Sequence, residues 1–129
     1  VFGLRDGVTL QELNGEIVHY SYQEYMKKIH DGTIYVADSL SLMIAPVGWA
    51  WHYVVEAKPE TVLFESDKSH PALAGSYLAA CVFYVTIFRE SVVGIDYHSD
   101  LPESLTGYLQ YIATSTVLND LTEWHIPRP

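Results

Sequence analysis

Asp67 and His70 stand three residues apart in a polar stretch, Asp67-Lys68-Ser69-His70-Pro71. An acid and an imidazole at that spacing can do general acid–base chemistry, because a tight loop folds the carboxylate back onto the ring. A serine hydroxyl is too weak an acid to attack a carbonyl unaided. An imidazole takes its proton and later returns it to the leaving group, while the acid fixes the tautomer and stabilises the charged ring. The same residues also fit a plainer arrangement, with Asp67 opening a turn and His70 facing solvent at a helix start. Asp96-x-His98 adds two more donors, which join a metal cluster only if their loop folds over the first pair. No Cys-x-x-Cys or His-Glu-x-x-His pattern favours that, so no metal or other cofactor is expected.

The element that must hold the pair follows directly. From Ser69 to Phe88 there is no Asp, Glu, Lys or Arg. A helix so apolar is buried on most of its circumference and makes a rigid support. The sequence predicts it over residues 71–89, with Ser69 as N-cap and Pro71 in the first turn. His70, Pro71, Gly75, Ser76, Tyr77, Tyr84 and Thr86 make the run too polar for a membrane span, so no membrane is expected. Cys81, the single cysteine, lies mid-helix and reads as a buried thiol without a disulfide partner.

Other elements follow from periodicity and punctuation. Residues 1–5 read as a short strand, Asp6-Gly7 as a turn, and residues 8–17 as irregular chain with a turn at Asn14-Gly15. A helix opens at Tyr20 or Ser21, where Ser21 and Glu24 have capping-box spacing. Asp31-Gly32 interrupts or kinks it before a second piece over 34–39. Leu40 to Val47, with its apolar core Leu42-Met43-Ile44-Ala45, reads as a parallel strand buried on both faces. A short helix from Trp49 to Lys58 ends at Pro59, and Thr61 to Phe64 reads as a short strand. Asp100 then caps a last helix from Leu101 to about Trp124, with a non-helical tail after it. Strands alternating with helices predict an α/β layer fold with a parallel sheet of about three strands, and the Asp67–His70 loop at its C-terminal edge.

Two strings carry a resemblance. Asp67-x-x-His70-Pro71 followed by a small-residue helix resembles the last sequence block of the SGNH (GDSL-like) hydrolases. His70-Pro-Ala-Leu-Ala-Gly-Ser-Tyr-Leu-Ala-Ala-Cys-Val-Phe-Tyr84 is similar to a more specific branch found in many Bacteroidetes. Ala45-Pro46-Val47-Gly48-Trp49-Ala50-Trp51 resembles the family's Pro-Val-Gly-x-Ala-Trp after a sheet strand. The resemblance implies a flavodoxin-like three-layer α/β/α fold, of which residues 1–129 are the C-terminal portion of one domain. It implies a serine esterase in which His70 is the base and Asp67 its orienting acid. The family's Gly-Asp-Ser or Gly-Asn-Ser nucleophile block is not in this chain, since Gly75-Ser76 lies inside the apolar helix. The chain alone is therefore expected to be inactive. Trp49 and Trp51, two residues apart at a helix start, cannot share one face; they are candidates for substrate contacts, one of them in the core and the other lining a cleft.

Composition bounds the partners. At 129 residues and 49 % hydrophobic content, the chain is one globular domain's worth. A net charge of −9 repels phosphates and argues against nucleic acid. The expected substrate is a small-molecule or acylated-carbohydrate ester. The expected protein partner is a second copy or a missing N-terminal half, covering an open sheet edge. A non-catalytic binding or assembly module using the cleft near Trp49 and Trp51 is the alternative function. The compartment is left open.

Overall fold

Val8, Leu10, Val18 and Tyr20 alternate with Thr9, Gln11, Ile17 and His19, and a period of two puts each set on its own face of a strand. In the computed structural model, which describes residues 5–128, these residues form an antiparallel hairpin. Strand β1 (Val8–Gln11) pairs with β2 (Ile17–Tyr20) in the register Val8↔Tyr20 to Gln11↔Ile17. The Asn14-Gly15 turn lies at its tip, with Gly15 at φ +86°. The stretch expected to be irregular is thus the only sheet among the described residues. The strand expected over residues 1–5 falls, apart from Arg5 in a turn, outside the described residues.

Ser21 then starts helix α1 (Tyr22–Leu40). Its hydroxyl accepts from the Glu24 amide and the Glu24 carboxylate accepts from the Ser21 amide, so the capping box forms as its spacing requires. The helix runs unbroken through Asp31-Gly32. Gly32 faces open space, so it costs only the ~1 kcal/mol of a helical glycine. Ser41, left-handed at φ 54°, ends it.

Among the described residues the expected flavodoxin-like parallel sheet is absent, and the strand expected over Leu40 to Val47 shows why. Of Leu42-Met43-Ile44-Ala45, only Ile44 is buried, while Leu42 and Met43 are exposed. Its one long-range backbone–backbone hydrogen bond among the described residues is the Ile44 amide donating to the Trp124 carbonyl, in a segment that is itself not a strand, and the Leu42 amide closes back on the Ala37 carbonyl of α1. An apolar run of that length does not distinguish a buried strand from a connector. The predicted strand Thr61–Phe64 is likewise reduced to one isolated antiparallel bridge, Phe64↔Pro71. Among the described residues there is no three-layer arrangement with helices on both faces of a sheet.

The body of the molecule is helical. Helices α2 (Val47–Ala57), α3 (Leu73–Phe88) and α4 (Glu103–Leu118) pack on one another, with α1 against α2. Trp51, Val54, Leu78, Val82, Val85, Leu109, Ala113 and Val117 are fully buried between them. Cys81 lies in the same core as a free thiol. α3 begins two residues later than predicted, with Ala72 as N-cap, because Pro71 is engaged in the bridge to Phe64. α4 starts after Pro102 rather than Asp100 and stops at Leu118; residues 119–125 turn back over α1. There Glu123 pairs with His30 at 2.8 Å and His125 with Asp38 at 3.1 Å. No helix among the described residues is long and apolar enough to cross a membrane.

Candidate active site

The Asp67–His70 loop is the tip of a short excursion between α2 and α3, not the edge of a sheet. Its base is closed by three backbone hydrogen bonds: Ala72 N–H to Leu63 O at 2.9 Å, Glu65 N–H to His70 O at 2.8 Å, and Lys68 N–H to Glu65 O at 2.9 Å. Lys68 sits at φ +59°, a left-handed turn that brings the next two amides round toward Asp67. That turn is braced from the N-terminal side. The Lys68 ammonium donates to Asp6 Oδ2 at 2.7 Å, and the Arg5 amide donates to Lys68 O at 3.3 Å.

Within this frame the two residues meet. Asp67 Oδ1 accepts from the backbone amides of Ser69 and His70, each at 2.9 Å, and Oδ2 lies 2.6 Å from His70 Nδ1. A carboxylate only accepts, so Nδ1 carries the proton and the neutral ring presents the lone pair of Nε2. The His70 amide above all, then its ring and the Ser69 amide, hold the Asp67 carboxyl down at about 2. The hydrogen bond to Asp67, reinforced by its charge, raises the His70 pKa above the ordinary imidazole value. The His70 side chain is 78 % exposed and that of Asp67 50 %, so Nε2 opens to solvent. Among the described residues no serine hydroxyl is hydrogen-bonded to His70. The arrangement can accept a proton at Nε2; it holds no nucleophile of its own.

The tryptophans fall in two different places. Trp51 is fully buried and meets Phe64 edge-on, ring centres 4.7 Å apart. It offers no face to a substrate, and instead supports the base of the loop. Gly75 makes this possible. A Cβ there would lie 2.3 Å from Leu63 O and 2.4 Å from Trp51 Cζ2. Trp49 is half-buried, with its ring 4.3 Å from that of His30 and 4.7 Å from that of His52. With Met26, Ile44 and Trp124 it lines a cavity of about 60 Å³ whose walls include neither Asp67 nor His70. The structure therefore unites Asp67 with His70 and joins neither tryptophan to them. Asp96 and His98 line a separate hollow beside α4. Among the described residues no three His, Cys, Asp or Glu side chains are grouped to hold a metal.

Two positioning residues escape a reading of the sequence. Gly75 carries a signal, since glycine inside an apolar helix marks a close approach. Asp6 carries none, because its partner Lys68 is 62 residues away. Comparisons with protein-family models, curated proteins and solved structures found no match. The resemblance to the SGNH hydrolases thus rests on the quoted strings.

Proposed function

We propose that this chain supplies the base and its orienting acid to a serine esterase of SGNH-like chemistry, with the attacking hydroxyl contributed from outside the described residues. The observation that carries this is the 2.6 Å contact between His70 Nδ1 and an ionised carboxylate, which leaves Nε2 free and solvent-facing. In the reaction, Nε2 takes the serine proton as the hydroxyl attacks the ester carbonyl, and Asp67 stabilises the imidazolium that forms. The proton then passes to the departing alcohol oxygen. A small ester, such as an acyl group on a carbohydrate, is the substrate class that the resemblance supports.

The test uses 4-nitrophenyl acetate and a fluorophosphonate label. The 129-residue chain should hydrolyse the ester no faster than its His70→Ala variant and take up no label. The longest product of the encoding gene should be labelled on serine, and His70→Ala should reduce its turnover by at least about 10³-fold. His70-dependent turnover by the 129-residue chain would place the nucleophile inside it. Equal turnover by the long product with and without His70 would end the catalytic proposal.

A further inference from the structure

Helix α3 buries one side and leaves the other apolar. Its buried residues, among them Leu78, Val82 and Val85, face α2 and α4. Its exposed positions are Leu73, Ser76, Ala80, Phe83, Tyr84, Ile87 and Phe88. At 3.6 residues per turn these fall within an arc of about 140°. The subset Leu73, Ser76, Ala80, Phe83, Ile87 advances by three and four residues in alternation, the spacing of a helix–helix seam. No residue between Leu73 and Phe88 is charged, so packing this face against another protein surface desolvates no charge of its own. A continuous apolar stripe of this kind is a candidate interaction surface.

We propose that this surface binds a second copy of the chain, with the two α3 helices antiparallel across a two-fold axis at Ala80. Two observations favour a copy. The stripe is self-complementary in that orientation: Tyr84 of one helix lies over Ser76 of the other, the aliphatic Leu73 packs on Ile87, and the small Ala80 meets itself and lets the two helices approach closely. Parallel pairing would instead set Phe83 and Phe88 each against its own copy, large against large. Leu73, Phe83, Tyr84, Ile87 and Phe88 are 48, 50, 38, 57 and 55 % exposed. Covered completely on both copies, these side chains would bury on the order of 1,000 Å², the lower limit of a specific interface. Antiparallel packing also sets opposite helix-dipole ends side by side. The same register lays the Asp67–His70 loop of each copy beside the C-terminal end of the other's α3. This proposal does not depend on the esterase chemistry.

Sedimentation of the 129-residue chain between about 1 and 100 µM tests it. The chain should reach twice the monomer mass in that range. Phe83→Glu should sediment as a monomer and keep the helical circular dichroism of the parent. A parent that stays monomeric at 100 µM, or a Phe83→Glu chain that dimerises as the parent does, overturns the proposal. Cysteine pairing fixes the orientation independently, since Cys81 is buried. Under mild oxidation a Leu73→Cys, Ile87→Cys double variant should form a covalent dimer, and Leu73→Cys alone should not. Efficient cross-linking of the Leu73→Cys single variant would show parallel pairing and refute the arrangement.

Discussion

Gly75→Ala separates two opposed effects whose sizes the structure allows to be compared. In an isolated helix the change stabilises by ~1 kcal/mol, because alanine loses less backbone freedom. Here the new methyl would stand 2.3 Å from Leu63 O and 2.4 Å from Trp51 Cζ2, more than about 1 Å inside the ~3.5 Å of a comfortable carbon contact. Neither neighbour can yield cheaply. Leu63 O is held by the Ala72 amide at 2.9 Å, and the Trp51 ring is fully buried against Phe64. Overpacking of this kind costs ~1–3 kcal/mol, and so deep an overlap belongs at the upper end. The net loss should be about 2 kcal/mol. With a urea dependence of ~2 kcal/mol per molar, the unfolding midpoint followed by tryptophan fluorescence should fall by ~1 M. Because Leu63 and Ala72 close the base of the loop, the His70 titration should also move back toward the ordinary imidazole value. A Gly75→Ala chain as stable as the parent or more so would refute the close contact, and with it the support assigned to the loop.

Other consequences are more local. Ser21→Ala removes a hydroxyl that accepts the Glu24 amide and should cost ~1 kcal/mol in denaturant unfolding. Leu78→Ala empties a fully buried site between the helices and should cost about 2–5 kcal/mol by the same assay. Asp67 has a depressed pKa. Its hydrogen bonds to the Ser69 and His70 amides should therefore be fully present above the ordinary 3.8 and be lost as pH falls toward about 2, seen as amide proton shifts in NMR. His70 must be unprotonated to act as a base. In the proposed esterase the rate should thus rise with pH to half its maximum above the ordinary imidazole value, and Asp67→Asn should lower both that midpoint and, by roughly 10⁴-fold, the rate.

What the sequence made legible was local. The Ser21–Glu24 box and the Asp67–His70 contact each close within three residues, so spacing alone specifies them. Cys81 and Trp51 went inside, as a thiol and an indole amid apolar neighbours do. Fold class was not legible, because it turns on pairings between distant segments. Leu42–Ala45 has the composition of a buried strand, yet no partner strand for it exists among the described residues, and the Ile44 amide is satisfied by Trp124, 80 residues on. The hairpin was missed for the converse reason. Its alternation at 8–11 and 17–20 is only four residues long on each side, and the Asn14-Gly15 turn between them was its strongest sign. Asp67 and His70 come together although the sheet expected to present them is absent among the described residues. The contact is made by a turn at Lys68 and by amides within the loop, and it needs no sheet beneath it.

Nitrogen NMR of His70 across pH tests most directly whether an acid orients this imidazole for base chemistry. The neutral ring should show a protonated Nδ1 and an unprotonated Nε2, with a titration midpoint above the ordinary imidazole value that falls when Asp67 is changed to Asn. A ring that titrates at the ordinary value, protonated on Nε2 when neutral and indifferent to Asp67→Asn, would contradict the account.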